Sequence, residues 1–156
     1  MAVHLYSSPI GEIAVFSDGE NITGLCFSDT LRGYHSNILT SRLPIIAQAD
    51  EWLNIYFSGK QPDFTPSLKV DGTEFHRTVC GIIQSIPFSH VMTYSEIAGM
   101  IQGTSARAVG SAVAANKILL MIPCHRVTGS GGKLTGYSGG IERKRKLLTL
   151  EGADIG

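Results

Sequence analysis

Cysteine is scarce in this 156-residue chain: Cys26, Cys80 and Cys124 are all it has. An odd, sparse set argues against a disulfide framework and for a reducing compartment. No Cys-x-x-Cys or His-x-x-x-His pair occurs, so the four-ligand spacing of a structural zinc site is missing. No apolar run approaches the ~20 residues that span a bilayer. The start, "MAVHLYSSPIGEIAVF", has no basic segment leading into a continuous apolar stretch. That predicts no secretory signal and a cytoplasmic protein, away from membranes. Excess charge is missing too, with 13 Lys+Arg against 13 Asp+Glu. The balance is uneven, however. Residues 1–70 carry 4 basic against 7 acidic groups and residues 71–156 carry 9 against 6. The C-terminal part is therefore the better candidate for an anionic partner.

What is present reads as globular: 43% hydrophobic and 17% charged residues, enough for one ordinary domain or two small ones. "VHLYS", "EIAVFS" and "ITGLCFS" are rich in branched and aromatic residues and are separated by the turn formers "SPIG" and "DGEN". They predict three strands. In "PIIAQADEWLNIYFSGK" the residues Ile45, Ala49, Trp52, Leu53 and Tyr56 share one helical face, with Pro44 at the start and Gly59 past the end. "KQPDFTPSLKVDG" has no helical period and predicts a linker, with a domain boundary near Val70.

The second half reads as helical. Phe75, Val79, Ile82, Ile83 and Ile86 form a face that Pro87 ends. Thr93 and Glu96 make a capping box before "YSEIAGMI". The break "QGTS" and the segment "ARAVGSAVAANK" then suggest a helix-turn-helix. The second helix is slim. It can lie close to a nucleic-acid backbone or pack tightly on another helix, and composition alone favours packing. "ILLMIP" predicts a buried extended segment, "TGSGGKLTGYSGG" a glycine-rich hairpin or loop, and "IERKRKLLTLEG" a last helix ended by Gly152. Ile141, Lys144, Leu148 and Glu151 fall on roughly one face of that helix, so Glu151 is expected to point inward.

The chemistry concentrates in "IPCHRV". A thiolate is the nucleophilic form of cysteine, and a neighbouring imidazole can take the thiol proton, directly or through one water. Adjacent side chains on an extended backbone point apart. Cys124 and His125 therefore need a bend or a bridging water. A carboxylate on the far ring nitrogen would fix the tautomer, and Glu151 is a candidate. The same dipeptide also reads as a packing cysteine beside a core histidine, or as part of a zinc site. Cys26 and Cys80, with apolar neighbours, read as small buried hydrophobes.

The ordered series "TYSEIA", "ARAVGSAVAANK", "IPCHRV", "GYSGGIERKRKLL" and the closing "EG" resembles the O6-alkylguanine-DNA alkyltransferase family, the methylated-DNA–protein-cysteine methyltransferases. The resemblance implies an α+β chain. A small β-sheet-plus-helix, ribonuclease-H-like domain at residues 1–70 precedes a mainly helical domain at residues 71–156, with a helix-turn-helix and a Gly-rich wing. It implies single-turnover DNA repair: an alkyl group moves irreversibly from O6 of guanine, and also from O4 of thymine, to the acceptor matched by Cys124. His125 matches the base acting through water, Glu151 the carboxylate that orients it, and Asn116 the asparagine that braces the turn. Tyr94 matches a tyrosine that contacts the base and a neighbouring phosphate.

By the same resemblance Tyr137 and Ser138 line the pocket near O6, and Val127 offers a carbonyl to the guanine amino group. Arg107 matches the arginine that fills the stack when a nucleotide is flipped through the minor groove. Thr104, Ala106, Ala108, Gly110 and Ser111 belong to the same DNA-facing helix-turn-helix. Expected partners are double-stranded DNA carrying O6-alkylguanine and no membrane. The protein is expected to be a monomer without cofactor or metal, because His4, Cys26 and His35 do not complete a ligand set. An alkyltransferase-like damage sensor would lack the cysteine, and an unrelated Cys-His hydrolase would turn over.

Overall fold

A computed structural model describes residues 2–31 and 43–155. Two compact units divide the chain, Met1–Val70 and Asp71–Gly156. His35 lies outside the described residues.

In the first unit, β1 (Ala2–Ser8), β2 (Gly11–Ser17) and β3 (Ile22–Phe27) form an antiparallel meander. Ser8 pairs with Gly11 across a two-residue turn, which sets the β1–β2 register through to Ala2 opposite Ser17. Ile13, Ala14, Val15, Ile22, Leu25 and Phe27 are fully buried. Helix α1 (Pro44–Phe57) begins on Pro44, whose missing N–H is harmless in a first turn. It buries Ile45, Ala49, Trp52, Leu53 and Tyr56 as expected, together with Ile46. The stretch expected as a linker does more than connect. Leu68 makes a parallel bridge to Ile22, with Ile22 N donating to Ser67 O and Lys69 N to Ile22 O. Its prolines stop a helix, but its last residues still extend the sheet by one bridge.

The second unit contains α2 (Glu74–Gln84), β4 (Met92–Thr93), α3 (Tyr94–Gly99), α4 (Ala106–Ala114), β5 (Val127–Thr128) and α5 (Ile141–Leu150). On α2 the buried face is Val79, Cys80 and Ile83, continued by Ile86. Phe75 and Ile82, expected inside, are half-buried. The capping box forms: Glu96 N donates to Thr93 Oγ1 and Thr93 N to Glu96 Oε1. Gly103, at φ +78°, helps turn the chain between α3 and α4, and the two helices pack on each other. The parallel pair β4–β5 sets Met92 beside Val127 and Thr93 beside Thr128. This brings the start of α3 next to the segment that follows Cys124.

"ILLMIP" is buried but not extended. Met121 N donates to Leu119 O and Ile122 N to Ile118 O, and Leu120 sits at φ +68°. Five apolar residues in a row read equally well as a strand or as a curled core segment, and here Asn116 decides. Its side chain bonds Ile122 O at 2.9 Å and receives Ile118 N at 3.0 Å, closing the loop on itself. Helix α5 ends on Gly152 at φ +74°, with Ala153 N donating to Leu148 O, a left-handed cap that glycine accepts without strain. Lys144, Leu147, Leu148 and Glu151 are buried, but Ile141 is 44% exposed at the first turn. Among the described residues no helix is long and apolar enough to cross a membrane.

Candidate active site

Pro123 is followed by a short 3-10 turn, Cys124–Arg126. This turn supplies the bend that adjacent Cys and His side chains need. Helix α5 packs against it. His125 is fully buried, and its Nε2 lies 2.5 Å from Glu151 Oε2. Glu151 accepts more than that bond. Arg126 donates from Nε at 2.8 Å and from Nη2 at 3.2 Å, and Ser89 N donates at 3.1 Å. Arg126 Nη1 also reaches Ile86 O at 2.8 Å, and its guanidinium lies over the Phe88 ring. One buried carboxylate thus gathers the histidine, the arginine and the loop after α2. Ser89 adopts φ +68° there. Of the two described non-glycine residues with positive φ, Ser89 bonds this carboxylate and Leu120 lies in the loop that leads to Cys124.

The electrostatics follow from burial and these contacts. Burial alone would raise the Glu151 carboxyl. The hydrogen bonds and charges of His125 and Arg126 overcome it and bring the group down to about 2. Burial pushes the His125 imidazole down, and Glu151 pulls it back up. Burial also raises the Cys124 thiol, while the Asn116 side chain and then Lys144 act to lower it. The Tyr137 hydroxyl is raised well above its ordinary value, first by burial and then by Cys124.

Cys124, 5% exposed, opens onto a cavity of about 400 Å³, within the ~300–1,000 Å³ range of small-molecule sites. Tyr94, Gly110, Val113 and Ala114 line it together with Thr135, Gly136, Tyr137 and Ser138. The glycine-rich segment is an irregular loop containing one short 3-10 turn, Ser130–Gly132. The Tyr137 hydroxyl is buried without a hydrogen-bond partner among the described residues, and its ring meets His125 edge-on at 6.4 Å. A donor with no partner, in a cavity wall beside a thiol, suits a ligand with an acceptor atom.

The remaining expected site residues lie elsewhere. Val127 is fully buried in β5 and is not part of the cavity wall. Arg107 is exposed on α4 and Thr104 half-buried in the turn before it, with Ala106 half-buried. Ala108 and Ser111 border a separate groove between α2 and α4, while Gly110 faces the cavity. Among the described residues no group of three or more His, Cys, Asp or Glu could hold a metal ion. Sequence reasoning overlooked Arg126, Ser89 and Thr135, and it placed Lys144 on the inward face of α5 without a role. The one available signal was Arg126, a charge set directly after the Cys-His pair in an apolar run.

Residues 1–71 match the family described as 6-O-methylguanine DNA methyltransferase, ribonuclease-like domain, and residues 74–153 match its DNA binding domain. A methylated-DNA–protein-cysteine methyltransferase of Mycobacterium tuberculosis is 39% identical over 145 residues, covering 92% of this chain and 88% of that protein. One of Methanosarcina mazei is 39% identical over 153 residues, covering 97% of each. Among solved structures, Mycobacterium tuberculosis OGT in complex with DNA superposes with a TM-score of 0.85 at 37% identity, over 97% of this chain and 92% of that one.

Proposed function

The chain belongs to the 6-O-methylguanine DNA methyltransferase family, a methylated-DNA–protein-cysteine methyltransferase by its relatives, and from that premise we propose that Cys124 is its alkyl acceptor. The observation that carries this reading is the position of Cys124. Its sulfur opens onto the cavity, and the next residue is a histidine held by a buried carboxylate. In the proposed step the Cys124 thiol gives up its proton, with the second ring nitrogen of His125 accepting it through one water. The sulfur then forms a bond to the alkyl carbon as the carbon–O6 bond breaks. The bonding pair passes into the guanine, which ends with the proton that the thiol lost. Cys124 ends as a thioether. No group in the cavity wall offers a way to cleave that bond, so one chain repairs one lesion.

Each partner has a task that its geometry suits. Glu151 holds His125 and favours its protonated form. Asn116 fixes the loop that leads to Cys124. Tyr94, Tyr137 and Ser138 stand in the wall where charge develops on the leaving base. Val127, outside the cavity wall, is assigned its carbonyl contact to the guanine amino group by resemblance to the family alone.

A base inside a duplex cannot enter such a cavity, so the nucleotide is flipped out through the minor groove. The exposed Arg107 fills the gap, and Thr104, Ala106, Ala108, Gly110 and Ser111 form the DNA-facing surface. O4-alkylthymine carries the same reacting bond and is a second substrate. Residues 1–70 and 71–156 act as the two domains, the second carrying the chemistry. The test is Cys124→Ser. It abolishes transfer and keeps duplex binding, because a hydroxyl is a far weaker nucleophile at neutral pH. Methyl transfer by the serine variant would overturn the assignment.

A further inference from the structure

Lys144 has no role in the step above, yet it is fully buried. Lysine is almost never found so without a partner. It lies seven residues before Glu151 on α5, two helical turns or about 10 Å along the axis, and so on the same face. At one end of that face Glu151 meets His125. At the other, Lys144 Nζ donates a 2.8 Å hydrogen bond to the Thr135 carbonyl. Thr135 is part of the cavity wall, and its hydroxyl donates to the Tyr94 hydroxyl at 3.2 Å. One ammonium therefore ties α5, the loop and the start of α3 around the cavity.

We propose that Lys144 is a positioning residue for Cys124: its ammonium clamps the Thr135 wall and provides the counter-charge that lets the sulfur ionise in a buried site. The inference rests on Cys124 being the alkyl acceptor. Several groups act on the sulfur or close to it. Cys80 approaches from α2 and Tyr137 from the loop, and neither can bring positive charge. Asn116 acts as a neutral amide. Arg126 is held by Glu151, and Arg143 acts on Tyr137. His125 becomes cationic only by taking the thiol proton. Lys144, bonded to the Thr135 wall of the cavity that Cys124 also lines, is the positive group left. Burial draws its own ammonium down to about 8, and Cys124 draws it back up. The thiol proton goes to His125 and Lys144 keeps its own. Once the sulfur is a thioether it bears no charge, and Lys144 loses its counter-ion.

Lys144→Met tests this. Carbamidomethylation of Cys124 by iodoacetamide, read on the isolated Cys124 peptide across about pH 6 to pH 10, reports thiolate formation without DNA. The midpoint should rise by about one unit, which makes the variant about tenfold slower at neutral pH. Methyl transfer from O6-methylguanine duplex should slow in parallel. Lys144→Arg should restore the midpoint. An unchanged midpoint in Lys144→Met, or an equal shift in the arginine variant, would overturn the counter-charge role. A wild-type protein that takes no methyl from DNA would instead sink the acceptor reading, while the iodoacetamide midpoint still judges Lys144. If Lys144→Met does not fold, the titration of Lys144 Nζ followed by NMR in the wild type decides. Its pKa should drop after S-methylation, and no change would refute the pairing.

Discussion

Replacing Glu151 with glutamine removes one charge and almost no volume, and the structure says what each atom loses. Both carboxylate oxygens accept from donors: Oε1 from Arg126 Nε and Ser89 N, Oε2 from His125 Nε2 and Arg126 Nη2. Either orientation of the amide turns an N–H₂ toward an N–H. Arg126, 7% exposed, keeps its charge without a counter-charge. Breaking a buried pair in this way costs about 3–5 kcal/mol. The chemical cost is separate. An amide cannot stabilise the imidazolium that forms when His125 takes the thiol proton, and loss of well-placed base catalysis is worth about 10²–10⁴ in rate. The assay is single-turnover methyl transfer from an O6-methylguanine duplex, measured against pH on protein shown to be folded by urea denaturation. The rate should fall by at least about a hundredfold at neutral pH, and its rise with pH should move toward the ~8.5 of a free thiol. Folded Glu151→Gln protein with the wild-type rate and pH profile would refute the reasoning and leave Glu151 as a structural anchor.

The same carboxylate makes the second unit acid-labile. Its pKa is held at about 2 against an ordinary 4.5, so the stabilisation is present above 4.5 and is lost as pH falls toward 2. That is worth about 3 kcal/mol, read from urea midpoints down the pH scale; a midpoint that is flat below pH 4.5 would contradict it. Asn116→Ala leaves Ile122 O and Ile118 N without their partner inside the core. It should destabilise by about 1–3 kcal/mol per unsatisfied group and raise the pH at which Cys124 reacts with iodoacetamide. Arg107→Ala should weaken duplex binding by about tenfold or more, about 1.4 kcal/mol, while free O6-benzylguanine, which leaves no gap to fill, reacts as before. Equal losses on both would move Arg107 into the pocket.

Much of the local structure was legible in local signals. The branched and aromatic residues of "EIAVFS" between turn formers are a compositional signal, the spacing of Ala49, Trp52 and Tyr56 is a periodic one, and Thr93 with Glu96 is a capping one. The failures share a cause: they depend on a residue distant in sequence or on a short apolar run without period. "ILLMIP" curls because Asn116 closes it, and no periodicity carries that information. Leu68 joins the sheet through a partner 46 positions away, Ile22. At the site, the Cys-His pair drew attention by its chemistry, and Glu151 by its place on a helix face and by resemblance. Ser89 and Thr135 were invisible, and Arg126 showed only as a charge after the Cys-His pair, because what they do is set by tertiary contact with Glu151 and Lys144. Lys144 was placed on the inward face of α5, but helical spacing says nothing of what an ammonium meets there.

The central claim is that Cys124 receives the alkyl group once and keeps it. Mass spectrometry of the protein mixed with excess O6-methylguanine duplex measures this directly. The account predicts a single added methyl per chain, located on the Cys124 peptide and absent from the Cys26 and Cys80 peptides, with guanine restored in equal amount. Methyl on another residue, or guanine restored beyond one per chain, would contradict it.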